Sequence, residues 1–222
     1  MFRAMLYKEV RETAAIVAIG LAFYSYFGVK AMRHDLLPWF DSGHYNYYMV
    51  EIPFVGQSYL SSFAWVSAGL AIALGFRQSV GESLHGTWLF LLHRPVAWKR
   101  LLGAKLLVGL TTYLLCAAAT ILAVSWWAAT PGTHASPFAW SMTVPIWKVW
   151  ITMPIVYLGA FLSGIRPGRW VGTRLLPLVA AGIMAALIPF LPWWPLSGLG
   201  LIVLLSIVFV RSIFFVARTR DF

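Results

Sequence analysis

Acidic residues are scarce in this chain: seven Asp and Glu stand against seventeen Lys and Arg in 222 residues. Charged residues make up only 11% of it, less than half the roughly one quarter usual in a soluble domain, which argues against a water-soluble globule. The single cysteine, Cys116, rules out an internal disulfide, and its place in an apolar run suits small-residue packing. Five scattered histidines show no zinc-type spacing. A phosphate-binding Walker loop needs Gly directly before Lys. The five lysines follow Tyr7, Val29, Trp98, Ala104 and Trp147, so that loop is missing. Neither G-x-S-x-G nor H-E-x-x-H occurs. No acid falls in the middle of an apolar run; the nearest, Glu51, precedes Pro53 at an edge. Ion-driven carriers hold an ionisable group near the midplane, so a carrier powered by its own ion site is disfavoured. The opening MFRAMLYKEVRET carries both signs of charge and no small-x-small site follows it, which does not match a cleaved signal peptide.

Apolar residues are what the chain has in excess, at 60%. A helix crossing the hydrocarbon core needs roughly 20 of them in a row. Six runs qualify as expected spans: about Thr13–Val29, Ser58–Phe76, Leu101–Trp126, Trp147–Ile165, Leu175–Leu191 and Leu196–Val216. The fifth is the weakest, because Pro177 and Pro189 bracket a short AAGIMAAL stretch. The expected fold class is therefore all-α, a polytopic membrane protein of six helices forming one domain over 1–222.

Fourteen of the seventeen cations fall on one side of that arrangement, and only Lys30, Arg33 and Lys148 on the other. Cytoplasmic loops carry the excess of Lys and Arg, so both termini are expected in the cytoplasm, in a plasma or bacterial inner membrane. A net charge of +10 would suggest nucleic acid in a soluble protein; at span ends it sets topology and meets anionic lipid instead. Tyr47, Tyr48, Trp126, Trp127, Trp140, Trp147, Trp193 and Trp194 gather at the opposite ends as an aromatic belt. Arg211, in the last turns of the sixth run, reads as a side chain snorkelling to the edge.

Three connecting stretches and one pattern of small residues stand out. In the first, about 1–12, Phe2, Leu6 and Val10 recur at helical spacing while Lys8, Arg11 and Glu12 take the other side, as in a helix lying in the interface. The second, about 30–57, is a long outer loop whose Tyr45, Tyr47 and Tyr48 form a candidate outer gate or an aromatic anchor. His34, Asp35, Asp41, His44 and Glu51 share it without any ligand pattern, so solvated polar groups are the preferred reading. The third, about 77–100, places Val80, Leu84, Trp88 and Leu91 along one helical face, with Glu82, Gly86 and His93 near the other. Pro95 then forces a corner, because Arg94 before it is pushed out of the α region. Small residues at Ser67, Ala71 and Gly75, and again at Gly159 and Ser163, offer faces for close helix approach.

The third stretch carries a resemblance. Glu82, Gly86, the string LFLLHRP from Leu89 to Pro95, Lys99, Arg100 and Gly103-Ala104-Lys105 are similar to the loop between the second and third spans of type-two ABC exporter permeases. The opening cluster Lys8, Glu9, Arg11 and Glu12 resembles that family's amphipathic elbow helix. The likeness covers the whole chain in topology and about forty residues in motif. It implies a membrane subunit without catalytic residues, cofactor or metal of its own. ATP and Mg would be held by a separate nucleotide-binding ATPase chain, and the permease would pair with a second copy or a related permease. Glu82, Leu84, His85 and Trp88 would lie on a coupling helix contacting that ATPase, with Arg94 and Pro95 at its corner. Glu82 could equally bridge to Arg77, Arg94 or Lys99. The family's outer re-entrant pair before the last span has no room in PWWPLSG. The competing reading is a non-transporting assembly or anchoring subunit of a membrane complex. An intramembrane enzyme is disfavoured by the absent motifs.

Overall fold

In hydrocarbon every backbone N–H and C=O must be satisfied within the protein, and a helix does this inside one segment. The computed structural model of the chain follows that rule. It describes residues 2–32, 54, 57–84, 98–133, 137–168 and 173–219, and among these there is no strand. The helices are α1 Phe2–Ala31, α2 Gln57–Leu84, α3 Trp98–Ala129, α4 Val144–Thr152, α5 Pro154–Ile165, α6 Leu176–Leu187 and α7 Trp194–Thr219. Single 3-10 turns, Trp140–Thr143 and Ile188–Phe190, lead into α4 and out of α6.

Five stretches are long and apolar enough to cross a membrane: Ala4–Ala31, Ser58–Gly81, Lys99–Ala129, Trp140–Ile165 and Trp194–Thr219. Their outward faces are apolar, with Trp65, Leu115 and Phe215 all strongly exposed, as suits contact with acyl chains. The protein is thus a membrane-embedded, multi-pass helical protein. The fifth expected span comes out shorter than the others, as Leu176–Phe190. The expected elbow at about 1–12 also changes. Residues 2–31 form one unbroken helix, about 45 Å long against a core of about 30 Å. Within that stretch Val10 is exposed and Glu9 is buried. In lipid the apolar stripe faces outward, so the polar residue turns to the protein.

α5 sits at the centre. Every residue from Ile155 to Ile165 is buried, and the helix packs most extensively against α2, then α6 and α7. Glycines set the spacing: a Cβ on Gly75 would lie 2.8 Å from the Tyr157 carbonyl oxygen and from Ala160 Cβ. Gly159 allows the same close approach to Pro177 and Ala181 of α6. The small-residue faces expected at Gly75 and Gly159 are therefore in use, and Ala71 is fully buried.

Helix breaks are satisfied locally. Pro154 lacks an N–H, so the Trp150 carbonyl one turn earlier loses its helical donor; the Tyr113 hydroxyl donates to it at 3.3 Å. The α5 carbonyls of Ser163 and Gly164 accept from Arg174 at 3.1 and 2.9 Å. Ser163 Oγ in return accepts the Leu178 N–H of the first turn of α6 at 3.1 Å. A cation at a helix C-terminus also complements the dipole there.

Candidate functional site

The polar residues of four helices meet inside the bundle. Lys105 of α3 donates to Glu9 Oε1 of α1 at 2.7 Å, with 1% and 4% of the two side chains exposed. Gln78 of α2 reaches Glu9 Oε2 with its amide nitrogen at 3.5 Å. Its amide oxygen accepts from the Tyr157 hydroxyl of α5 at 2.6 Å, and the same hydroxyl lies 3.4 Å from the Lys105 carbonyl. Gly109, one turn beyond Lys105, makes room: a Cβ there would collide with the Tyr157 hydroxyl and the Gln78 amide oxygen.

Each member reaches this point for a local reason. On α1 the buried positions Glu9, Thr13, Gly20, Tyr24 and Gly28 form one stripe at helical spacing, so Glu9 faces the same way as the packing glycines. Glu9, Gln78 and Lys105 all lie about two turns, roughly 10 Å, inside the ends of their helices. Arg77, Lys99 and Arg100 stay exposed at that same end. The long side chains of the pair are fixed by helix packing rather than by a loop.

Bringing a lone charge into such a place costs several kcal/mol per ion even after relaxation, and only a close, hydrogen-bonded partner offsets it. The pair is therefore a fastener. Together the four side chains join α1, α2, α3 and α5 at one end of the bundle. Among the described residues no group of His, Cys, Asp or Glu could hold a metal ion.

A second polar contact lies farther along. Tyr24 and Ser67 share a hydrogen bond of 2.7 Å between α1 and α2, and Tyr24 packs on Phe63 with ring centroids 5.3 Å apart. Ser67, expected as a small packing residue, thus also serves as a hydrogen-bond partner.

The sequence-derived site residues distribute as follows. Glu9, grouped with the elbow, is the centre of the buried cluster. Lys8 and Glu12 form an i,i+4 pair at the helix surface, 3.4 Å apart, and Arg11 is exposed. Glu82 and Leu84 lie on the last turn of α2, which runs well past the expected end of the second span at Phe76. His85, Trp88, Arg94 and Pro95 lie outside the described residues, as do Tyr45, Tyr47 and Tyr48. Lys105, counted in the sequence as one of the topology-setting cations, is instead buried. Gln78 and Tyr157 carried no sequence expectation. Their signal was weak: Gln78 follows Arg77 in a run of polar residues, and Tyr157 sits among apolar residues like any core aromatic.

No family model matches the chain, and no curated protein or solved structure is similar to it.

Proposed function

We propose that this protein is the membrane-spanning subunit of an ATP-driven exporter of the type-two ABC class, working with a separate nucleotide-binding ATPase chain. The observation that carries the reading is the buried tie between Glu9, Gln78 and Lys105. It joins α1 to α2 and α3, the two helices that flank the 85–97 segment containing the LFLLHRP string. A push delivered to that segment passes into α2 and α3, and the tie hands it on to α1 and, through Tyr157, to the central α5. Such a subunit needs rigid force transmission and no catalytic groups, which agrees with the missing Walker loop.

In this reading α6 is the fifth of six crossings. Its short length is accommodated by local thinning of the bilayer, and both termini lie in the cytoplasm with most of the cations. The opening turns of α1 take the place of a separate elbow, held to the bundle by Glu9. Glu82, Leu84, His85 and Trp88 contact the ATPase, and Arg94 and Pro95 shape the corner. The ATPase binds ATP and Mg, and a second permease copy or a related permease completes the path. Apolar spans with a neutralised interior suit a lipid, a hydrophobic peptide or a drug-like molecule.

The test is co-purification from membranes in mild detergent, wild type beside the Glu82→Lys, Arg94→Glu double variant. A nucleotide-binding chain with vanadate-sensitive ATPase activity should accompany wild type and be lost from a variant that still elutes as a folded species. Wild-type protein that brings down no ATPase in several detergents overturns the proposal and leaves the anchoring role.

A further inference from the structure

α6 and α7 are joined by the turn Leu191–Trp193, which contains Pro192 and is flanked by Pro189 and Pro195. Two independent measures place this turn short of the bundle's end. Leu176–Phe190 rises only about 24 Å, counting twelve α and three 3-10 residues, against a hydrocarbon core of about 30 Å. At its near end α6 is pinned by Arg174 to the last carbonyls of α5. At its far end the Lys148 amine sits 5.3 Å from the centre of the Trp194 ring. Trp140, the first residue of that same span, lies about 14 Å farther along the axis than Lys148. Whichever way the Lys148 side chain points, the 5.3 Å contact keeps the Trp194 ring below the level of Trp140.

The turn's chemistry fits a place without water. Its large exposed side chains are apolar: Phe190 is 85% exposed, Trp193 86% and Leu196 82%. Part of the backbone polarity is removed or matched internally. The three prolines have no N–H. Ser197 Oγ donates to the Pro192 carbonyl at 2.6 Å and approaches that of Trp193 at 3.2 Å. The Leu191 N–H is taken by the Ile188 carbonyl, and the Leu196 and Ser197 N–H groups by that of Trp193. Of the first four N–H groups of α7, which a helix always leaves open, only that of Trp194 still needs an acceptor. Trp193 adopts φ 55°, a left-handed conformation uncommon for a bulky residue, and in doing so projects its ring outward. Three large, outward-facing apolar side chains on one short turn suit acyl chains better than water.

We infer that the α6–α7 turn lies within the bilayer, below the end reached by the neighbouring Trp140–Ile165 span, with Phe190, Trp193 and Leu196 in contact with lipid acyl chains. This end of the protein then carries a recess into which one leaflet dips. The inference rests on the helical membrane fold alone and is independent of any ATPase partner.

Spin labels test it. In a Cys116→Ser background, Trp193→Cys and Phe190→Cys are labelled in lipid vesicles, with Pro131→Cys in the exposed turn after α3 as the aqueous control. Collision with oxygen should exceed collision with a water-soluble nickel chelate several-fold at 190 and 193, and the order should reverse at 131. Nickel access at 190 and 193 equal to that at 131 would place the turn in water and overturn the inference. Low access to both reagents would show the turn covered by protein, either another segment of this chain or a second copy, and overturns it equally. Agreement between the two labelled positions guards against a local distortion at Trp193.

Discussion

Cutting the Glu9–Lys105 pair from one side should cost far more than removing it whole. Glu9→Gln leaves the Lys105 charge where only 1% of the side chain is exposed, with an amide in place of the carboxylate that met it at 2.7 Å. Breaking a buried pair by removing one partner destabilises by about 3–5 kcal/mol. Lys105→Met strands Glu9, with only the 3.5 Å contact from Gln78 remaining from the described cluster. The double variant Glu9→Met, Lys105→Met places two flexible apolar chains of similar volume in the same space. Such replacements are neutral or stabilising by about 1–4 kcal/mol. For a chain of this size each kcal/mol moves the melting temperature by about 2–4 °C. Each single variant should therefore melt about 6–20 °C below wild type, and the double variant near or above it. Tryptophan fluorescence during heating in detergent reports the transition. Additive single effects, or singles within about 1 kcal/mol of wild type, would refute the view that the pair is buried and mutually dependent.

Two further variants probe the framework around it. Gly109→Ala should destabilise by about 1–3 kcal/mol through overpacking, read by the same melts, and combining it with Tyr157→Phe should cost less than the sum because the colliding hydroxyl is gone. Arg174→Ala should cost about 1.5–3 kcal/mol, the range for hydrogen bonds from a charged donor. Arg174→Lys should recover only part of it, since one ammonium cannot match the guanidinium fork that serves two carbonyls; full recovery by Lys would show that charge alone matters.

Much of the helical layout was legible in the sequence, because length and apolarity alone select segments for a membrane. The tight contacts at Gly75 and Gly159 were visible as small residues at helical spacing. The cluster was not, for two physical reasons. Glu9 and Lys105 are 96 positions apart, and no local pattern joins them. Moreover, charges near helix ends follow the rule for topology, which treats Lys105 as a loop cation and Glu9 as part of a surface helix. The stripe Glu9, Thr13, Gly20, Tyr24 and Gly28 was the available clue: a carboxylate in register with small and aromatic inward-facing positions belongs inside. The turn between α6 and α7 is legible in kind but not in scale. Pro177 and Pro189 mark a short helix, but how far short depends on where Arg174 pins one end and Trp194 meets Lys148 at the other.

The complete burial of α5 bears on how the molecule is made. A helix with no side left for lipid has nothing to gain from sitting alone in the bilayer, and its glycine-lined flanks would there be unfilled grooves. It is synthesised after α1, α2 and α3, so the surface that receives its Tyr157–Phe161 edge is already in place when it emerges. α6 and α7 follow and close the remaining sides, with Arg174 and Ser163 stitching the first of them down. The order of the chain thus supplies each wall of the socket close to the time it is needed, and a transposition that moved this segment to the front would leave it waiting in the membrane without neighbours.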